Sequence, residues 1–79
     1  MSNNNPIARR LGQYQLQAED LAIQAGISLR TALLFTRPNV KTYLTRKTSL
    51  AIDRVFDLPQ LTTKWEWEDF QSQMRRRRK

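Results

Sequence analysis

Residues 18–37 read Ala-Glu-Asp-Leu-Ala-Ile-Gln-Ala-Gly-Ile-Ser-Leu-Arg-Thr-Ala-Leu-Leu-Phe-Thr-Arg, and their apolar spacing decides the fold. Leu21, Ala22 and Ala25 fall on one face of a short helix. Gly26 can take the left-handed conformation that ends it, and Ile27 is expected to turn back into the core. Ser28 is a side-chain cap for a second helix that buries Ala32 and Phe35 at i and i+3, with the small Ala22 where the two helices nearly touch. Two short helices joined by one sharp turn make a helix-turn-helix, which points to nucleic acid.

Outward from this pair, the same periodicity organises the chain. Pro6 after Asn5 suits a first helical turn, and Ile7, Leu11 and Tyr14 recur at i, i+4 and i+7 in a helix of about residues 6–15. The pair itself occupies about residues 17–25 and 28–36, and Pro38 stops the second helix by disfavouring the helical conformation at Arg37. After a polar loop, Thr48 or Ser49 is the expected cap of a fourth helix with Leu50, Ile52, Val55 and Phe56 on its apolar face, ended by Leu58-Pro59. Residues 61–67 alternate as a strand does, whereas Trp67, Phe70 and Met74 share a helical face. The expectation leans to a strand for 61–67, with a helix capped by Thr62 or Thr63 as the alternative. The closing run Arg75, Arg76, Arg77, Arg78, Lys79 repels itself and is expected to be disordered. The expected fold is all-α, a four- to five-helix domain over 1–60, followed by an aromatic segment and basic tail over 61–79.

Composition narrows the function. With 79 residues the chain allows one small core. It holds no Cys and no His, which removes disulfides, Cys or His metal sites and catalytic Cys or His, so no enzyme, metal or cofactor is expected. No apolar run approaches the roughly 20 residues that cross a bilayer, and the first residues lack the regions of a signal peptide. The expectation is a cytoplasmic, nucleoid-associated chain with no membrane partner and no small-molecule ligand. Fourteen Lys and Arg against seven Asp and Glu leave a formal charge of +7, divided as +4 over residues 1–60 and +3 over 61–79. Polyanions are the expected partners, and the basicity does not reside in the tail alone.

Leu16-Gln17-Ala18-Glu19-Asp20-Leu21-Ala22, then Ala25-Gly26-Ile27-Ser28, then Thr48 to Leu58 as a closing helix resemble the Cro/phage-repressor-type (lambda repressor-like) helix-turn-helix family of bacterial and phage transcription regulators. The resemblance covers roughly residues 6–59, and its pattern is shared with other helix-turn-helix families such as the purine/lactose repressor headpiece. It implies a compact dimeric domain, a small repressor that inserts helix 28–36 into the major groove of double-stranded DNA. The chain departs from the family at Ala18, where Gln is frequent, and at Thr36, where Glu is frequent; Gln17 stands one residue before the missing contact.

The candidate base-reading residues are Ser28, Leu29, Arg30, Leu33 and Leu34. Arg30 can bond guanine bidentately, whereas leucines can only touch thymine methyl groups or pack on the 38–47 loop, the C-terminal segment or a partner chain. The candidate phosphate contacts are Gln17, Thr36, Arg37, Asn39, Lys41, Thr42, Thr45, Arg46 and Lys47, joined by the tail Arg75, Arg76, Arg77, Arg78 and Lys79. Tyr43 is expected to cover the core, and one of Trp65 and Trp67 to seal the core or a dimer seam. Two alternatives remain: a helix-turn-helix that docks on a protein through its leucines, and an RNA or non-specific binder led by the tail.

Overall fold

The computed structural model describes residues 5–37 and 42–77, the last three as backbone only, and is all-α. Five helices run in the order α1 (Pro6–Gln13), α2 (Ala18–Ala25), α3 (Leu29–Phe35), α4 (Arg46–Val55) and α5 (Thr62–Arg77). None is long and apolar enough to cross a membrane among the described residues.

Caps explain most of the helix boundaries. Asn5 Oδ1 accepts from the amides of Ile7 and Ala8 at the start of α1, and Ser28 Oγ accepts from Thr31 N at the start of α3. At the start of α4 the cap is Thr45, which accepts from Thr48 N at 3.3 Å, not Thr48 or Ser49 as the apolar pattern suggests. Arg46 and Lys47 therefore lie in the first turn of α4.

Three helices end alike. Gln15 (φ 57°), Gly26 (φ 70°) and Asp57 (φ 54°) adopt the left-handed conformation, and the next residue in each case donates its amide back five residues: Leu16 to Leu11, Ile27 to Ala22, Leu58 to Asp53. This is the Schellman arrangement, in which the apolar residue after the left-handed one folds over the helix end. Leu16, Ile27 and Leu58 accordingly pack against the core. Glycine occupies only one of the three positions.

The core joins all five helices: Ile7 and Leu11 of α1, Leu21 and Ala22 of α2, Ala32 and Phe35 of α3, Ile52 of α4, Trp67 and Phe70 of α5, with Leu44 and Phe56. Trp67 lies at its centre, 1% exposed, its ring edge-on to Phe35 at 5.1 Å and tilted against Phe70 at 5.5 Å. Such aromatic pairs add to the area they bury.

The C-terminal segment corrects two expectations. Residues 62–77 form a helix, not a strand, because a strand over 61–67 would need a neighbour to take its backbone hydrogen bonds and a helix supplies its own. Thr63, Trp67 and Phe70 face inward, Met74 packs on the same core, and Trp65 points away at 74% exposure. The backbone of Arg75, Arg76 and Arg77 continues the helix, where disorder is expected from charge repulsion alone. Cations in a last helical turn lie at the negative end of the helix dipole, which opposes that repulsion. Arg78 and Lys79 lie outside the described residues.

What starts α5 is a buried polar face on α4. Ser49, Ile52, Asp53 and Phe56 form the inward stripe at i, i+3, i+4 and i+7, and Leu50 is only half-buried. Asp53 Oδ2 accepts from Leu61 N at 2.7 Å, and its Oδ1 accepts from Thr63 N at 2.8 Å and from the Thr63 hydroxyl at 2.5 Å. Ser49 Oγ accepts from Lys64 N at 2.9 Å, while Pro59 O takes Thr62 N. All four amides from Leu61 to Lys64, which a helix cannot satisfy internally at its start, thus have partners. Arg10 of α1 pairs with Glu66 and holds the other side of α5.

Tyr43 is a further correction. It is 69% exposed and stands under the Lys64 ammonium, 4.3 Å from the ring centre, while its hydroxyl contacts the same Nζ at 2.9 Å. This hydrogen bond is the chief cause that raises Lys64 above its ordinary pKa, partly opposed by burial and assisted by Glu68.

Candidate nucleic-acid interface

Helix α3 is seven residues long, and its two buried side chains fix which way the rest point. At about 100° per residue, Ala32 and Phe35 define the inward direction, and Arg30 falls almost diametrically opposite. Leu33 and Leu29 lie on one side of it, about 60° and 100° round the helix, at 46% and 45% exposure. Leu34 is turned partly inward and packs on the core, which leaves it little surface to offer a base. Arg37, just past the helix, is exposed.

The start of α3 is fixed by its cap. Ser28 Oγ accepts from Thr31 N and donates to Thr31 Oγ1 at 2.8 Å, so its hydroxyl proton is engaged. At the other end, Asn5 Nδ2 donates to the carbonyls of Phe35 and Arg37, each at 2.7 Å. One fully buried side chain therefore caps the beginning of α1 and clamps the end of α3. The sequence marks Asn5 as a cap, and it gives no sign of the clamp, because the partners of its amide protons lie about thirty residues away.

Among the phosphate candidates, Gln17, Arg37, Thr45, Arg46 and Lys47 are exposed, and Thr36 and Thr42 are half-buried. Thr36 donates its hydroxyl to Leu33 O, and the Thr45 hydroxyl is engaged with Thr48. The Thr42 carbonyl accepts from Trp67 Nε1 at 2.9 Å and from Gln71 Nε2 at 3.4 Å. Asn39 and Lys41 lie outside the described residues, as do Arg78 and Lys79 of the tail. Gln17 stands in a different electrostatic setting from the others. Its amide donates to the Asp20 carboxylate at 2.8 Å, and Glu19 is exposed beside it, so the start of α2 is acidic.

The charge distribution has a sharp feature that reading residue by residue overlooks. From Leu21 to Ile52 the chain contains no Asp or Glu, while it carries Arg30, Arg37, Lys41, Arg46 and Lys47. Those 32 residues include α3 and the first turns of α4. The ion pairs among the described residues are Arg10 with Glu66 and Lys64 with Glu68, both involving α5. Arg30, Arg37, Arg46 and Lys47 belong to neither, so their charge faces solvent uncompensated.

No protein-family model, curated protein or solved structure matches the chain. The reading of this surface consequently rests on its own geometry. No group of three or more acidic side chains suited to a metal ion occurs among the described residues. A groove of about 360 Å³ between α1 and α5, lined by Arg9, Arg10, Gln13, Glu66, Asp69 and Gln73 with Pro6 and Phe70, mixes both charge signs and lies apart from α3.

Proposed function

We propose that the chain is a sequence-specific double-stranded DNA-binding regulator of the Cro/phage-repressor type, acting as a small homodimeric repressor on nucleoid DNA in the cytoplasm. The observation that carries this reading is the outward face of α3. Arg30 stands at its centre, opposite Ala32 and Phe35, within a stretch that has cations and no acids. The helix pair around a left-handed Gly26 supports it, since the second helix of such a pair is the one that enters a major groove.

Roles follow from chemistry. Arg30 has the fork geometry to bond guanine O6 and N7, and Leu29 and Leu33 can meet thymine methyl groups beside it. Arg37, Arg46 and Lys47 are suited to phosphate, which fixes register without reading bases. Gln17, beside Glu19 and Asp20, is the weakest of the phosphate candidates because those carboxylates repel the same anion.

A salt titration of binding to a fixed duplex, a scrambled duplex and single strands tests the reading. Log affinity for duplex should fall with log salt by about 0.9 per phosphate neutralised. Arg30→Ala should cost about 1–3 kcal/mol on the preferred site and relax one base position. A flat salt response, or no duplex binding at low salt, defeats the proposal. It would favour the second reading, a protein-docking module, for which the exposure of Leu29 and Leu33 is the supporting observation.

A further inference from the structure

We propose that the Tyr43 hydroxyl is a donor to backbone phosphate on the duplex-binding surface, set in place from α5 by Lys64. The inference rests on the DNA-binding reading above and adds to it a neutral contact that the charge pattern does not mark. Tyr43 lies in the α3–α4 connection, two residues before the Thr45 cap and three before Arg46, inside the stretch without acids. With consecutive Cα atoms about 3.8 Å apart, it stands within about 11 Å of Arg46, close enough to serve the same strand. Both of its neighbours are pinned by α5. The Thr42 carbonyl accepts from Trp67 Nε1 at 2.9 Å, and Leu44 is buried while its carbonyl accepts from Lys64 Nζ at 3.1 Å. Tyr43 is thus 69% exposed yet held on either side.

The chemistry of the hydroxyl decides what it offers. An ammonium has donors and no acceptor, so Lys64 Nζ, 2.9 Å away, can only donate to the Tyr43 oxygen. The phenolic proton is left over, and among the described residues it meets no acceptor. A hydroxyl that accepts from a cation is polarised and donates more strongly. The ring, with the ammonium 4.3 Å from its centre, is already fixed, so binding forfeits little of its freedom. Lys64 itself is fully engaged, since its three donors go to Tyr43, the Leu44 carbonyl and Glu68 Oε2 at 3.3 Å. Glu68 alone would repel a phosphate, but the ammonium that bonds both groups offsets its charge.

The experiment compares Tyr43→Phe, which removes only the hydroxyl, with Tyr43→Leu, which also removes the ring, in the full chain against a duplex across a salt series. Thermal melts establish that both are folded. Tyr43→Phe should bind about tenfold more weakly, the low end for a hydrogen bond to a charged group. Its salt slope should match that of wild type, because a neutral donor displaces no counterion, whereas a lost cation contact would make the slope shallower by about 0.9. With tyrosine isotope-labelled at Cζ, duplex should shift the Tyr43 resonance, assigned by its loss in Tyr43→Phe, more than that of Tyr14, whose ring packs on Phe56. Lys64→Gln should weaken binding more in the wild-type background than on Tyr43→Phe, where no hydroxyl remains to place. Tyr43→Phe binding as tightly as wild type, or a Tyr43 resonance unmoved by duplex, overturns the inference and leaves the DNA-binding reading standing; a loss confined to Tyr43→Leu then assigns the ring to base stacking. Equal Lys64→Gln losses in the two backgrounds overturn the part given to Lys64. Wild-type protein that fails to bind duplex overturns both readings.

Discussion

Replacing Asp53 by Ala removes the acceptor for three hydrogen bonds that together start α5. Two of the donors are the backbone amides of Leu61 and Thr63, and the third is the Thr63 hydroxyl. Hydrogen bonds to a charged partner contribute about 1.5–3 kcal/mol each, and a buried donor left without its partner costs about 1–3 kcal/mol. The contributions overlap, and water can reach Leu61, which is half-buried. We expect a loss of about 3–5 kcal/mol, comparable with removing one partner of a buried ionic contact. A chain of this size has a total stability of about 4–12 kcal/mol at roughly 0.05–0.15 kcal/mol per residue, so the variant should be near the edge of folding. Urea unfolding followed by tryptophan emission is the natural assay, because Trp67 is buried and follows α5 directly. Ser49→Ala should cost less, about 1–2 kcal/mol, since only Lys64 N loses its acceptor. The double variant should lose less than the sum, because both side chains hold the same helix start. A loss below about 1 kcal/mol for Asp53→Ala would refute the reasoning and mean that α5 is held by its aromatic face alone.

Three further outcomes are expected. Trp67→Phe should cost about 2–3 kcal/mol through lost volume and the lost bond to Thr42, whereas Trp65→Phe should leave the melt within about 0.5 kcal/mol; equal effects would reassign the two aromatics. Gln15→Gly should stabilise by about 0.5–1 kcal/mol by relieving a left-handed non-glycine residue, and Gly26→Ala should destabilise by about 1 kcal/mol through that strain alone, as an added Cβ meets nothing within 4 Å. Deleting residues 61–79 should abolish the cooperative melt, since it removes two core aromatics and strands Asp53, and a deletion that melts like the full chain would contradict the core described above.

How much of this was legible depended on whether apolar character marked the buried face. For α1, α2 and α3 it did, and Asn5, Ser28 and Gly26 sit at the boundaries their chemistry requires. For α4 the inward stripe is half polar, so the eye follows Leu50 and Val55 and misses Ser49 and Asp53, whose burial makes sense only once α5 is in place. The strand-like alternation of residues 61–67 is the same blindness in reverse: Trp65 adds apolar character at a position that faces solvent. Gln15 ends a helix in a conformation for which its side chain gives no signal, whereas Asp57 is of a type enriched in that conformation, and an apolar residue follows each. At the proposed interface, the outward direction of Arg30 follows from Ala32 and Phe35 alone. The engagement of Ser28, Thr36 and Thr45 in local hydrogen bonds does not, because short hydroxyl side chains satisfy helix ends and ligands equally well.

The Asn5 clamp has a practical side. Because its amide is locked between the first turn of α1 and the carbonyls of Phe35 and Arg37, Asn5 itself lies beside the end of α3, only four residues after Met1. An affinity tag or solubility fusion ahead of Met1 would carry its own charges within a few residues of Asn5, and so of the neighbourhood where duplex binding is proposed. A histidine tag would add cations below neutral pH, and an acidic fusion would compete with phosphate. Affinities for duplex should therefore be measured with the leader removed and compared with a fusion in place. A difference between the two would report how close the entry of the chain lies to its bound partner.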